Sequence, residues 1–172
     1  MNSIKIGEQT WAKEDLKVTH FRNGEPIPQV QDDNEWAKLT TAAYCITPKG
    51  NYLYNFYAVN DERGLAPKGW HIPTTGEWDE LDEYGIEESN EGRDINFLSP
   101  EGFSATLNGL RDYHGEFLNE GTIHYWWTAN AHEDIDIFAC DLKLLPLWGA
   151  DYGFMPTLSK FSRGLSVRCL KD

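Results

Sequence analysis

The chain has 172 residues and a formal net charge of −13, with 28 acidic against 15 basic side chains. This acidic balance argues against a nucleic-acid partner, because the phosphate backbone requires clustered Lys and Arg, and it also disfavours anionic membrane surfaces. Glycines, prolines and aromatic residues are scattered along the sequence, which is typical of short elements joined by shaped turns. We see no linker, repeat or low-complexity segment, so we expect one domain over residues 1–172.

Sequence signals for export and for a bound metal are weak. Residues 1–7 lack the apolar run of a signal peptide, and no segment is apolar enough to span a membrane. We therefore expect either a protein that stays inside the cell or a mature form. The three cysteines, Cys45, Cys140 and Cys169, are too few and too widely spaced for a disulfide scaffold, and without a C-x-x-C pair a structural zinc site is not expected.

The first third of the chain predicts short elements. Residues 4–11 favour two short strands around a Gly-Glu turn, and residues 18–21 alternate like a strand before an Asn-Gly hairpin turn. Residues 33–41 begin with an Asp/Asn-capped turn or short helix. Residues 52–59 favour a strand by composition and also carry a helical face, and periodicity alone does not decide between the two.

The most tightly specified helix lies in the middle of the chain. Thr74 and Glu77 have the spacing of a capping box, in which each side chain bonds the backbone N–H of the other residue. Pro73 and Trp78 occupy the two positions of a hydrophobic staple. We therefore predict a lid helix over residues 75–84, ended by the following glycine, with Trp78 driven into the core.

The last third predicts strands and a hairpin. Residues 135–142 favour a strand, and residues 148–154 favour a loop or hairpin tip. Residues 165–169 alternate apolar with polar side chains, as a core strand does. We expect this last strand to pair with residues 4–6.

Several of these segments together resemble a known family. Residues 69–78 read GWHIPTTGEW, which resembles the GWHVPT-x-x-EW signature of the Fibrobacter succinogenes major paralogous domain family. Residues 52–59 resemble its LYNWYAV stretch, and residues 160–170 its terminal K-x-x-GFSVRC stretch. Asp15 stands where that family usually has Asn. More distantly, residues 69–78 resemble the RLPTEAEWE stretch of formylglycine-generating (sulfatase-modifying) enzymes.

The resemblance implies a fold and a setting. The fold is α+β and C-type-lectin-like, with two helices packed on twisted antiparallel sheets and with the N- and C-terminal strands paired; residues 52–59 are then helical. The family also suggests a secreted or cell-surface bacterial protein. Cys45 and Cys169 lie in segments that the resemblance covers, and an exported domain could join them. We prefer two reduced, buried thiols, because no export signal is visible.

Known catalytic motifs are missing from the sequence, including G-x-S-x-G, H-E-x-x-H and the P-loop. Formylglycine-generating enzymes rely on paired reactive cysteines in the last third of the chain, where this sequence has only Cys140 and Cys169, neither in a matching motif. We therefore expect no enzyme activity, no catalytic residue and no cofactor. Glu133, Asp134 and Asp136 could offer ligands to Ca²⁺, but we favour an exposed, solvated loop there.

An aromatic and polar set in the second half is the predicted ligand site. In C-type-lectin-like domains ligands usually meet the loops of this half, and Tyr, Trp and Arg are common in binding hot spots. The predicted site residues are Arg111, Tyr113, Trp126, Trp127, Asn130, Trp148 and Tyr152. Because adjacent side chains of a strand face opposite ways, we expect one of the two neighbouring tryptophans to be buried and the other open. The alternative is that most of this set packs in the core.

The sequence thus favours a non-catalytic ligand-binding or adhesion module, with a glycan, peptide or protein as the ligand. The variable proteins of diversity-generating retroelements use the same scaffold and are one subclass of this hypothesis. An enzyme related to the formylglycine-generating group and a purely structural or assembly domain are the alternatives. A fold supports many unrelated activities, so the decision rests on the site.

Overall fold

The computed structural model describes residues 1–87, 103–131, 138–146 and 152–172. The strands of these ranges are β1 (Ser3–Ile6), β2 (Gln9–Ala12), β3 (Tyr44–Ile46), β4 (Tyr52–Tyr54), β5 (Trp70–His71), β6 (Leu110–Arg111), β7 (Phe117–Leu118), β8 (His124–Ala131), β9 (Phe138–Pro146), β10 (Tyr152–Lys160) and β11 (Leu170–Lys171). Their helices are α1 (Asp33–Trp36), α2 (Phe56–Val59) and α3 (Thr75–Glu87). The predicted α+β class, with few helices and several antiparallel sheets, is confirmed. In the described ranges, no helix has both the length and the apolar character needed to cross a membrane.

The two ends of the chain meet in a four-stranded sheet with the order β1-β2-β11-β5. Leu170 of β11 lies opposite Trp11 of β2 on one side and opposite His71 of β5 on the other, both antiparallel. The predicted pairing of the terminal strands is therefore right in outline but wrong in detail. The last strand is Leu170–Lys171 and not residues 165–169, which instead form isolated bridges to Tyr54 and Trp126. The partner of the last strand is β2, because β1 lies outside β2 at the sheet edge.

The other sheets are antiparallel as well. Strands β8, β9 and β10 form a sheet with β9 in the middle, and β3-β4 and β6-β7 form two short ribbons. The pairing of β9 with β10 runs from Phe138 opposite Lys160 to Pro146 opposite Tyr152. The strand predicted over residues 135–142 is thus present, but its described part begins at Phe138. The tip predicted at residues 148–154 lies partly outside the described residues.

Residues 52–59 form a strand followed by a helix, so both of the elements that their periodicity allowed are present. Strand β4 ends at Tyr54 and helix α2 begins at Phe56, so the change occurs at Asn55. The buried Asn55 side chain accepts hydrogen bonds from the N–H of Ala58 (3.1 Å) and of Ala43 (3.0 Å). Asn55 therefore caps helix α2 and links it to β3. A helix of one turn has little stability of its own, so it depends on such contacts.

Two predictions for the first third need correction. Residues 18–21 form no strand; the described segment has one isolated bridge, between His20 and Pro26. The N–H of Val18 donates to the Tyr54 hydroxyl at 2.7 Å and that of Phe21 to the carbonyl of Glu25 at 2.8 Å, so these donors are satisfied without a strand ladder. Helix α1 has the predicted acidic cap at its start, but it ends at Trp36 and does not run to residue 41.

Helix α3 begins as its sequence predicts. The Glu77 carboxylate accepts the N–H of Thr74 at 2.7 Å, and the Thr74 hydroxyl accepts the N–H of Glu77 at 3.3 Å. The capping box is therefore confirmed. The predicted end is wrong, because Gly85 lies inside the helix, which continues to Glu87.

Aromatic side chains pack α3 onto the terminal sheet. Trp78 is 1% exposed, and its ring centre lies 4.6 Å from that of Trp11 and 5.3 Å from that of Trp126. This cluster confirms that Trp78 anchors the lid helix. A second cluster holds Leu165 and Val167, which lie in the last segment of the chain.

The two cysteines of the suggested bridge are both free and buried, as we preferred. Cys45 and Cys169 belong to different core clusters. Burial raises the pKa of each thiol to about 12, since the interior disfavours the thiolate. Both therefore behave as small apolar core residues.

The packing of Trp78 predicts a ranking of two substitutions on helix α3. Trp78→Ala should lower the free energy of unfolding by about 3–5 kcal/mol, because it empties a large site in a close-packed core. Thr74→Ala removes the cap alone and should cost about 1 kcal/mol. Denaturant unfolding measures both values, and the reverse ranking would contradict the assignment of Trp78 as the anchor.

Candidate functional site

A buried carboxylate lies at the centre of the strongest polar cluster in the described structure. The Asp15 side chain is 6% exposed. Its Oδ1 accepts hydrogen bonds from Trp126 Nε1 and Arg168 Nε, both at 2.8 Å, and its Oδ2 accepts from Asn108 Nδ2 at 3.0 Å. We call Asp15, Asn108, His124, Trp126 and Arg168 the polar centre. Buried clusters of charged and polar groups are candidates for functional sites where a ligand can reach them.

The Arg168 guanidinium joins distant parts of the chain. It is fully buried, and its Nη1 donates to the carbonyl oxygens of Ala12 and Lys13 at 3.1 Å and to that of Phe103 at 2.8 Å. Its charge also lies over the Phe103 ring, at 4.5 Å from the ring centre. These contacts fix the N-terminal and C-terminal segments to residue 103, which is a structural role.

His124 completes the polar centre and is uncharged at neutral pH. Its ring stacks on Trp126 with the centres 3.8 Å apart, its Nδ1 contacts the carbonyl of Thr106, and its Nε2 lies 3.3 Å from Asp15 Oδ2. Burial lowers the pKa of His124 to about 4. For Asp15, burial acts to raise the pKa, but the charge of Arg168 and the hydrogen bonds to the carboxylate outweigh it and hold the pKa below its usual value.

The polar centre is therefore mainly a structural element. His124, Trp126 and Arg168 have no accessible surface, whereas Asp15 and Asn108 line a pocket of about 280 Å³. The three buried members therefore act through packing and hydrogen bonds, and only Asp15 and Asn108 border space that a ligand could enter.

Arg111, the first of the predicted site residues, points inward. Its Nε donates to the carbonyl of Gly115, and its two other nitrogens donate to Val30, Gln31 and Asp33, all at 2.8 Å. The rings of Trp36 and Phe117 also lie against the guanidinium, at 4.6 and 5.1 Å. The prediction that Arg111 faces a ligand is wrong, because the chain itself uses its donors.

Trp126 and Trp127 point in opposite directions along β8, as expected, yet both are 0% exposed. Trp126 packs in the cluster of Trp78, whereas Trp127 packs on Phe56 at 5.3 Å and donates to the carbonyl of Tyr54. The expectation of one open tryptophan is wrong. Strand β8 has a core cluster on each side, so neither direction leads to solvent.

The remaining predicted residues do not form a common surface in the described structure. The half-buried Asn130 accepts the N–H of Thr75 at 2.8 Å and so supports the start of α3. Tyr113 is also half-buried, and Lys160 Nζ lies 4.1 Å from its ring centre. Trp148 lies outside the described residues. Tyr152 begins β10, but its side chain is not described.

A cleft of about 560 Å³ opens elsewhere on the surface, and we call it the Tyr57 cleft. Its lining residues come mostly from the loops on either side of α2: Thr40, Thr41, Ala42, Phe56, Tyr57, Asn60, Asp61, Glu62, Arg63 and Phe161. Only Phe161 comes from the second half of the chain. The cleft therefore lies mainly in the first half of the chain, away from the second-half loops that carry most of the predicted site.

Two half-buried rings form the apolar part of the Tyr57 cleft. The rings of Tyr57 and Phe161 lie 5.7 Å apart at 89°, and Phe161 also packs on the buried Phe56 at 4.6 Å. Phe56 in turn rests on Trp127, in the core. The two half-buried rings thus rest on a packed core, which gives the rigidity that a preorganised binding surface requires.

One wall of the Tyr57 cleft is polar and fixed by an arginine. Arg63 donates twice to Asp61 at 2.8 Å and once to Glu25 at 2.9 Å, and it lies over the Phe21 ring at 4.0 Å. The hydrogen bond from Arg63 lowers the pKa of Asp61, although partial burial opposes this shift. The side chains of Asn60 and Glu62 form the exposed part of this wall and make no hydrogen bond within the described ranges.

A smaller pocket of about 220 Å³ adjoins the Tyr57 cleft. It shares Tyr57 and Phe161 with the cleft, and Lys38 and Lys160 bring positive charge to it. Lys160 is also the residue over the Tyr113 ring, so Tyr113 is the predicted site residue that lies near this surface.

The sequence held little signal for the Tyr57 cleft. Its walls come from chain segments far apart in the sequence, and Tyr57 was assigned only to a strand or a helical face. The polar run Asn60-Asp-Glu-Arg63 directly after α2 is the signal that could have indicated an open loop there. For metals, the described residues contain no group of three or more His, Cys, Asp or Glu that could hold an ion, and residues 133–136 lie outside them.

The fold and the cleft together define an α+β domain of short antiparallel sheets, with one long capped helix and a surface cleft between loops. The chain belongs to the Fibrobacter succinogenes major domain family, whose model matches residues 4–171. Comparisons with curated proteins and with solved structures gave no match. The polar centre and the Tyr57 cleft both lie within the matched range.

The polar centre predicts how substitutions at Asp15 affect stability. Asp15→Ala leaves the buried Arg168 without its counter-charge and should cost about 3–5 kcal/mol of the free energy of unfolding. Asp15→Asn keeps one acceptor oxygen and should cost less. Glu14→Ala removes the exposed neighbouring carboxylate and should stay within about 0.5 kcal/mol of the parent in urea unfolding. Equal losses for the two alanine variants would contradict this role of Asp15.

Burial of His124 predicts a loss of stability in mild acid. The ordinary pKa of His is 6.5, and the pKa of His124 in the folded chain is about 4. Between these two pH values the unfolded chain binds a proton at His124 that the folded chain does not bind. The free energy of unfolding therefore falls as the pH is lowered. The loss should be about 3 kcal/mol, from the size of that shift. His124→Gln should flatten this part of the profile, measured by urea midpoints, whereas the exposed His114→Gln should not.

Asp15 adds a second loss at lower pH, which both histidine variants should keep. Its folded pKa is below the ordinary 3.8, so its contribution is present above that value and disappears as the pH falls through the folded pKa. If the profiles of the parent and His124→Gln run parallel from pH 6.5 to pH 4, His124 does not titrate as assigned.

Proposed function

We propose that this domain is a non-catalytic binding module that holds an oligosaccharide in the Tyr57 cleft. The proposal rests on one observation: two half-buried aromatic rings stand at 89° to each other beside exposed amide, carboxylate and hydroxyl side chains. Sugar rings present C–H faces, which pack on aromatic rings, and hydroxyls, which bond to such polar groups. The cleft volume of about 560 Å³ suits more than one sugar unit.

The charges around the cleft support a neutral or mixed ligand. Asp61 and Glu25 share the single positive charge of Arg63 on one side. Lys38 and Lys160 lie on the other side, so charges of both signs surround the cleft. The free polar atoms on the polar wall belong to Asn60 and Glu62, which bond hydroxyls without demanding a charge on the partner. A carbohydrate therefore fits better than a strongly cationic or anionic polymer.

Two features support a binding role rather than catalysis. The lowered pKa of Asp61 keeps it ionised, whereas a general acid needs a raised pKa. The thiols of Cys45 and Cys169 are buried with pKa values raised to about 12, whereas cysteine chemistry requires the thiolate. The oxidase activity of the formylglycine-generating group is therefore not part of the proposal.

The proposal includes a C-type-lectin-like scaffold and a role in adhesion at a bacterial cell surface. It also covers the variable proteins of diversity-generating retroelements, which need a ligand-binding surface on such a scaffold. In each case the Tyr57 cleft would be that surface.

A glycan array followed by calorimetry on the purified domain tests the proposal. Tyr57→Ala removes one of the two rings and should weaken binding of an identified oligosaccharide by about 2 kcal/mol, as expected for a central aromatic residue. Asn60→Ala removes a directional hydrogen bond and should have a smaller effect in the same direction, about 1 kcal/mol.

Tyr113→Ala is the matched control, because this tyrosine is also half-buried but does not line the cleft. It should leave binding unchanged, and thermal melts should show that all three variants are folded. If the domain binds a peptide but no glycan, and Tyr57→Ala abolishes that binding, the site is right but the ligand class is wrong. Glycan binding that only Tyr113→Ala reduces would overturn the site.

A further inference from the structure

We propose that a second pocket, at the surface of the polar centre, binds a single neutral ring rich in hydroxyls, such as one sugar unit. The pocket has a volume of about 280 Å³ and lies between residues 14–17, residues 51–52 and residues 104–108. It shares no lining residue with the Tyr57 cleft. The inference therefore goes beyond the proposed function and does not depend on it.

The floor of this pocket has an acceptor held ready for a ligand. Asn108 is 4% exposed, and its amide nitrogen donates to Asp15 Oδ2 at 3.0 Å and to Ser166 Oγ at 3.3 Å. Because the carboxylate can only accept, it fixes which end of the amide is nitrogen. The carbonyl oxygen of Asn108 is left without a hydrogen-bond partner in the part of the chain that the structure describes. This oxygen is open to the pocket, so a ligand hydroxyl can donate to it.

The walls of the pocket add uncharged hydrogen-bonding groups. Asn51, Tyr52, Ser104 and Thr106 line it, and their side chains make no hydrogen bond to the described residues. The Tyr52 ring is stacked on Tyr44 with the planes 3° apart, which makes this wall stiff. Several convergent donors and acceptors that have no partner of their own are what a polyhydroxylated ligand requires.

The charges of the pocket favour a neutral ligand. The Asp15 carboxylate is already bonded to Arg168, Trp126 and Asn108, so it has no free charge to offer. Glu14 and Lys17 are exposed at the rim of the pocket and carry opposite charges, so together they contribute no net charge there. The volume lies near the lower limit for small-molecule sites, about 300 Å³, and suits one ring rather than a chain.

Two substitutions remove ligand groups while sparing the polar centre. Ser104 has a φ of 55°, in the left-handed region, so Ser104→Gly removes the hydroxyl and suits the backbone. Asn51→Ala removes a half-buried amide that bonds to no described residue. Asn108→Ala would remove the floor but also a partner of Asp15, so it is not the decisive variant.

Titrations of the labelled domain with free glucose, galactose, mannose and N-acetylglucosamine, followed by NMR of the side-chain amides, test the proposal. At least one sugar should give saturable shifts of the Asn108 and Asn51 signals. The double variant Ser104→Gly/Asn51→Ala should weaken that binding about tenfold, from two lost hydrogen bonds, as followed by the Asn108 signal. Tyr57→Ala, in the other cleft, should leave it unchanged.

Three outcomes would overturn the proposal. They are shifts by none of the four sugars, shifts by glycine as a zwitterionic probe but by no sugar, and sugar binding that the double variant leaves intact. Failure of this site is distinguishable from failure of the Tyr57 cleft, because the two sites respond to different variants and to different signals.

Discussion

The pairing of the Asp15 carboxylate with the Arg168 guanidinium is the interaction on which the rest of the structure depends. Removing two charges from water is expensive, and their attraction offsets that cost only when their other hydrogen-bonding atoms also find partners. Here Trp126 and Asn108 bond to the carboxylate, and three backbone carbonyls accept from Nη1 of the guanidinium. Nη2 of Arg168 is buried and has no hydrogen-bond partner among the described residues, so the pair is satisfied in most but not all of its atoms. The result is a fixed junction between the start, the middle and the end of the chain, which short strands alone would hold weakly.

This junction determines where a binding surface can form. It uses Trp126 as a hydrogen-bond donor, and the opposite face of β8 buries Trp127, so the aromatic residues of this strand are committed to the core. Arg111 is committed in the same way to backbone carbonyls. Tyr57 of α2 and Phe161, which follows β10, are two half-buried aromatic residues that remain at the surface and rest on the core. The proposed binding surface therefore lies on α2 and the loops beside it, and not on strand β8.

Local patterns predicted the fold well where a few neighbouring residues decide the outcome. The capping box of α3 and the turn between β1 and β2 depend on adjacent side chains, so the sequence is sufficient for them. Strand alternation also gave the opposite directions of Trp126 and Trp127. It could not give their burial, because that depends on which elements cover each face of β8. The Tyr57 cleft is harder still, since Phe161 meets α2 only after the chain has folded.

The same buried charge also connects the fold to the second pocket. Asn108 would be free to turn its amide either way if its neighbour were uncharged, and the pocket would then present a donor as often as an acceptor. A carboxylate at position 15 removes that freedom, because it accepts only from the amide nitrogen and leaves the carbonyl oxygen for a ligand. Asp15 thus gives the pocket a fixed polarity that an amide at this position would not enforce. The group that holds the core together therefore also defines what the surface above it can recognise.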